Sequence, residues 1–129
     1  MGNLGRKSQL LYVGNEVLLS KATAELLKRS GYKVRTTTPA HAVHVLREER
    51  FSAVVLCATL TSEETDEIVG LVTQTESEIP IVSVHLGLLG DAPNARSTVV
   101  VDALNGPDAL VNAVQIVINQ SAHFVGKAV

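Results

Sequence analysis

Short runs of consecutive apolar residues alternate along this chain with longer stretches of helical periodicity. The runs are LLYV at Leu10–Val13, AVVL at Ala53–Leu56, IPIVSV at Ile79–Val84 and STVVV at Ser97–Val101. A strand apolar at consecutive positions has to be covered on both faces, the condition of a strand inside a parallel sheet. YKVRTTT, Tyr32 to Thr38, is more polar and alternates, as an edge strand does. Helix signals stand between the runs. EVLLSKATAELLKRSG places Leu19, Ala22 and Leu26 on one face and stops at Gly31. Thr38 and Pro39 open a second helix, with Val43 and Leu46 turned inward. Thr61 and Glu64 have the spacing of a capping box before a third, whose stripe is Ile68, Leu71 and Val72. Gly106 and Pro107 precede a last helix that buries Leu110, Val114 and Val117. This order predicts an α/β fold, a doubly wound five-stranded parallel sheet with helices on both faces.

One crossover breaks the pattern. HLGLLGDAPNARS, His85 to Ser97, joins two strands that should be parallel, yet Gly87, Gly90 and Pro93 oppose a helix there. A parallel connection usually contains one. The helix between the fourth and fifth strands is therefore expected to be lost or shortened. Leu86, Leu88 and Leu89 then either fold back as a lid or form an exposed apolar patch for self-association or partner docking.

Composition narrows the function classes. A length of 129 residues suits one domain, expected over 9–121, between a disordered tail at 1–8 and a C-terminal tail at 122–129. Hydrophobic residues make up 46% but aromatics only 3%, so the core must be aliphatic. A formal net charge of −2 with no basic block argues against a nucleic-acid partner. No run approaches the ~20 apolar residues of a membrane span, and the first residues have no apolar stretch of signal-peptide length. The sole cysteine, Cys57, excludes an internal disulfide and fits a reducing cytoplasm.

Motifs for cofactor chemistry are weak. GNLG and GLLG lack the full glycine spacing of a phosphate loop between a strand and a helix. No hydroxyl follows the first strand before Ser20, which argues against a flavin. Glu16, Cys57, His85 and Asp102 have no ligand-pair spacing, and His41 with His44 reads as a polar helix face. No cofactor and no metal are expected.

In element order and hydrophobic pattern, residues 9–121 resemble a response-regulator receiver domain, the flavodoxin-like module of two-component signalling. LLYVGNEVLLSKATAELLKRSGYKV is similar to that family's first strand, helix and second strand; FSAVVLCATL is similar to its third strand and IPIVSV to its fourth. The resemblance implies the strand order 2-1-3-4-5. It also implies where the chemistry should stand, and there the chain departs. The acidic pair that holds Mg²⁺ in receivers falls on Gly14 and Asn15, with Glu16 the only acid nearby; the phosphoacceptor aspartate falls on Cys57 and the switch Ser/Thr on His85. The conserved lysine has no counterpart, and Asp102 lies nearest its place. Mg²⁺ takes carboxylate and water oxygens in an octahedron, which a glycine and an amide do not supply. Without metal and lysine, the charge of a transferring phosphoryl group is not neutralised. The expectation is a degenerate receiver, not an enzyme, working through a protein partner or a second copy of itself. A thiol-based redox or ligand sensor is the alternative, with Cys57 the thiol and His85 the cation beside it. Against that alternative, free cysteine most often packs as a small apolar residue.

Overall fold

The computed structural model describes the backbone of residues 8–74, 79–85 and 99–128 and the side chains as far as Gln120. The elements are β1 (Gln9–Val13), α1 (Val17–Arg29), β2 (Lys33–Thr37), α2 (Pro39–Glu48), β3 (Ala53–Leu56), α3 (Ser62–Gln74), β4 (Ile81–His85), β5 (Val99–Asp102), a single 3-10 turn (Ala103–Asn105) and α4 (Pro107–Ala128). The strands form one parallel sheet in the order β2-β1-β3-β4-β5, as expected. Leu86, Leu88 and Leu89, and with them the crossover between β4 and β5, lie outside the described residues, as does the tail up to Lys7.

Strand periodicity divides the core. Leu10 and Tyr12 of β1, Val55 of β3 and Val82 of β4 pack with Leu27 of α1 and with Leu110, Ala113, Val114 and Val117 of α4. The alternate residues Leu11, Val13, Val54, Leu56 and Ile81 pack with Ala42 and Val45 of α2 and with Ile68, Val69 and Val72 of α3. Side chains two apart share a face, so each central strand feeds both layers. Leu10, Leu11, Val13, Val54 and Val55 are wholly inaccessible to solvent, and truncating such a leucine to alanine costs about 2–5 kcal/mol.

Two helices sit one residue round from the expected rotation. The buried residues of α1 are Ser20, Ala24 and Leu27, while Ala22 is exposed and Leu19 is 43% exposed. Those of α2 are Ala42 and Val45, with Val43 and Leu46 half-buried. In both helices small residues take positions against the sheet, which lets the helix axis approach, and longer aliphatic chains flank the contact. The expected stripes on α3 and α4 are found: Ile68, Val72, Leu110, Val114 and Val117 are buried and Leu71 packs against the core.

The boundaries follow local chemistry. The Gly31 and Tyr32 amides donate to the carbonyls of Lys28 and Leu27, at 3.0 and 3.3 Å, and close the end of α1. This arrangement puts the residue after the cap in the left-handed region, and Gly31 adopts φ 101° there. At α3 the capping box is complete: the Thr61 hydroxyl accepts from the Glu64 amide at 3.1 Å, and the Glu64 carboxylate accepts from the Thr61 amide at 2.9 Å. The edge strand β2 is tied to the end of α2 by an Arg35–Glu49 ion pair, and Gln9 of β1 donates to the same Glu49 at 2.8 Å. Helical backbone continues to Ala128, through most of the segment expected as a C-terminal tail.

Candidate functional site

The carboxyl ends of the central strands, where open α/β sheets of this type bind ligands, bring Gly14 and Cys57 together. The Gly14 amide donates to the Thr37 carbonyl and the Cys57 amide to the Val13 carbonyl, each at 3.0 Å. The parallel ladder thus runs one step past β1 and β3 and fixes both residues side by side. Cys57 is 4% exposed and joins the core on the α1 and α4 side with Tyr12.

Gly14 is buried. A Cβ added there would stand 2.8 Å from Ser20 Oγ, 3.1 Å from the Tyr12 ring and 3.2 Å from Cys57 Cβ. Its φ lies outside the left-handed region, so the position is constrained by crowding and not by backbone conformation. A side chain here would need Ser20, Tyr12 and Cys57 to give way.

Asn15 and Glu16 turn outward; both are exposed. Asn15 donates through Nδ2 to both carboxylate oxygens of Glu64, at 3.1 and 3.3 Å. Since Glu64 also closes the capping box of α3, the loop after β1 is strapped to the start of α3. Glu16 precedes α1, where its carbonyl accepts the Ser20 amide at 2.9 Å. Asp102 caps the 3-10 turn by accepting from the Leu104 amide at 2.9 Å. His85 pairs in register with Asp102 at the end of β4. The described contacts of Cys57 do not include His85. Its thiol lies 3.2 Å from Thr59 Oγ1, and Val84 is the β4 residue lining the pocket beside it.

A magnesium ion, which this fold holds in receivers, does not fit these residues. Gly14 offers no ligand and is crowded by its neighbours, the Asn15 amide is turned to Glu64, and Cys57 presents a soft, buried sulfur where a hard ion takes oxygen. Among the described residues, no three His, Cys, Asp or Glu side chains gather as a metal-holding group.

Tyr12, Ser20, Thr23, Thr59 and Glu64 were not singled out by sequence reasoning as parts of this region. Tyr12 carried a usable signal, as the one residue of the LLYV run with a polar atom to satisfy. It is 2% exposed, and it lines one pocket with Thr23, Cys57 and Thr59. Burial first, then the hydrogen bond and charge of Cys57, push its phenol well above the ordinary value of 10.0, while Thr23 pulls the other way.

No family model matches the chain, and no curated protein matches it. Solved structures do. The chain is similar to a CheY-like response regulator receiver domain from Methylobacillus flagellatus, with TM-score 0.73 and 16% identity over 86% of this chain and 98% of that one. It is also similar to the receiver domain of a sensor histidine kinase from Pseudomonas aeruginosa, which has magnesium coordinated in its active-site cleft. There the TM-score is 0.76 and the identity 18%, over 88% of this chain and 98% of that one. A third match, the anti-anti-sigma factor PhyR from Bartonella quintana, has TM-score 0.77 and 14% identity over 95% of this chain and 52% of that one. The fold is therefore the CheY-like fold of receiver domains, as the sequence resemblance implied.

Proposed function

We propose that this chain is a degenerate receiver domain that does not transfer phosphoryl groups and regulates by binding a protein partner. The observation that carries the reading is the packed pocket at Gly14. The two positions of the acidic pair are a glycine crowded by its neighbours and an amide engaged elsewhere, and the acceptor position is a buried thiol. A thiol does not form the acyl phosphate that a carboxylate forms. The residues nearest the lost site have structural partners instead: Asp102 caps a turn, and Glu64 closes a capping box and receives Asn15. The reading is regulatory and not enzymatic.

The partner is a signalling protein or a second copy of the chain. A formal net charge of −2 favours neither a nucleic-acid backbone nor an acidic membrane surface. No helix among the described residues is long and apolar enough to cross a membrane. The cytoplasm is the compartment this reading assigns, in keeping with a single free cysteine. At the outer sheet edge, Val100 is 42% exposed, Ile116 of α4 51% and Leu104 77%. Apolar surface of this kind commonly marks interaction sites, and here it supports docking beside β5. Leu86, Leu88 and Leu89 remain candidates for the same surface.

Two measurements test the reading. Incubation with acetyl phosphate and Mg²⁺ is expected to leave the intact mass unchanged, and a Mg²⁺-dependent phosphoryl adduct overturns the loss of phosphotransfer. For the interaction, Val100→Lys with Ile116→Lys is expected to stay folded and to lose its dimer in sedimentation or its partner in a pull-down. Unchanged assembly in both assays refutes the β5 surface.

A further inference from the structure

Beside Cys57, a pocket of about 300 Å³ opens between α1, α4 and the carboxyl ends of the strands. Its walls include Leu19 and Leu26 of α1, Leu110 of α4, and Val84 and Val101 of the sheet. Its polar groups are few: Tyr12, Thr23, Cys57 and Thr59. They are also gathered: the Cys57 thiol lies 3.2 Å from the Thr59 hydroxyl, and Tyr12 packs with Cys57 in the same core cluster. An apolar cavity with a small convergent polar cluster is the usual form of a small-molecule site.

The lining also restricts the ligand. None of its described residues is Asp, Glu, Lys, Arg or His. An ion entering this space would meet no counter-charge among the described lining residues, which disfavours it. Hydroxyls and a thiol, by contrast, both donate and accept hydrogen bonds. The volume is about that of ten molecules of liquid water at roughly 30 Å³ each, which admits a compound of about ten non-hydrogen atoms. A way in exists at the rim, where Leu19 is 43% exposed and Thr59 and Pro107 are exposed.

We propose that this pocket binds a small uncharged molecule with an apolar body and one carbonyl or hydroxyl group, its polar group set against Tyr12, Thr23, Cys57 and Thr59. The site owes nothing to phosphotransfer and stands or falls separately from the interaction reading.

The test is a titration of the full chain, ¹⁵N-labelled, with acetophenone. Ethylbenzene has the same body without the carbonyl, and benzoate has the same size with a charge. The expected result is saturable shifts centred on Tyr12, Thr23, Cys57 and Thr59 with acetophenone, binding of ethylbenzene about five-fold weaker for the lost hydrogen bond, and no saturable binding of benzoate. Ala103→Phe, which fills the pocket from the 3-10 turn, is expected to abolish acetophenone binding while the spectrum stays dispersed. Should that variant fail to fold, Thr59→Val at an exposed position serves instead, lowering affinity for acetophenone and leaving ethylbenzene unchanged. Non-saturable shifts, shifts centred elsewhere, benzoate binding equal to acetophenone, or a folded Ala103→Phe that still binds each overturn the proposal. So does a Thr59→Val variant with unaltered preference.

Discussion

A Cβ on Gly14 would lie 3.2 Å from Cys57 Cβ. Contacts that short are tighter than ordinary packing, and neither neighbour is free to withdraw, because the Gly14 and Cys57 amides are both pinned in the ladder. The glycine at 14 and the packing of this core go together: with no side chain there, Ser20 Oγ, the ring of Tyr12 and Cys57 Cβ stand close around the position. Gly14→Asp is expected to destabilise the fold by about 1–3 kcal/mol through overpacking, with further cost from the carboxylate, as urea denaturation would measure. The double variant Gly14→Asp, Cys57→Asp is expected to remain unphosphorylated by acetyl phosphate. A stable double variant that takes up phosphate in Mg²⁺ contradicts this account of the pocket.

Cys57 behaves as a buried residue. At 4% exposure, its thiol is expected to react with a disulfide reagent only slowly in native protein and rapidly in urea. Fast stoichiometric labelling under native conditions favours a sensor. A hydroxyl here would have a partner in Thr59 Oγ1, which lies 3.2 Å from the sulfur. Cys57→Ser is therefore expected to cost only about 1 kcal/mol.

The fold was legible because its signals are collective. Apolar runs such as Leu10–Val13 and Ala53–Leu56 can be satisfied only between two layers, and Gly31 and the Thr61–Glu64 pair mark helix ends by local chemistry. Helix rotation was not legible on α1 and α2, since Ala24 and Ala42 rank below leucine in hydrophobicity yet win the sheet-facing places by being small. The absence of carboxylates at Gly14 and Cys57 could be read from alignment to the family pattern. What fills the space could not, because Tyr12 and Ser20 reach it from two elements. Asp102, expected beside a phosphoryl pocket, spends its carboxylate on the Leu104 amide.

The capping box of α3 serves two segments. Thr61→Ala is expected to cost about 1 kcal/mol, the usual value of an N-cap hydroxyl. Glu64→Gln keeps an acceptor for the Thr61 amide but weakens the contact with Asn15. A double-mutant cycle between Asn15→Ala and Glu64→Ala is expected to give a coupling of a few tenths of a kcal/mol, because the pair is exposed. Coupling above about 1.5 kcal/mol would show that the strap governs the loop after β1 far more strongly than an exposed contact does.

Tyr12 sets the response to alkali. Its phenol is held well above 10.0 in the folded chain by burial and by Cys57, while in the unfolded chain it ionises near the ordinary value of about 10. A folded-state value above the unfolded one means that the native state keeps its proton where the unfolded state has lost it. The stabilisation is fully present below about pH 10 and declines as pH rises from there toward the folded value, by up to about 1.4 kcal/mol per pH unit for one group. Tyr32 is shifted in the same direction by burial, but it is only half-buried, and its contribution is smaller. Urea midpoints are therefore expected to hold level from neutral pH to about 9.5 and then fall steeply. Tyr12→Phe is expected to show a shallower alkaline decline. Tyr32→Phe should keep most of the slope. If Tyr12→Phe falls as steeply above pH 10 as the parent, the phenol is not the group that titrates on unfolding.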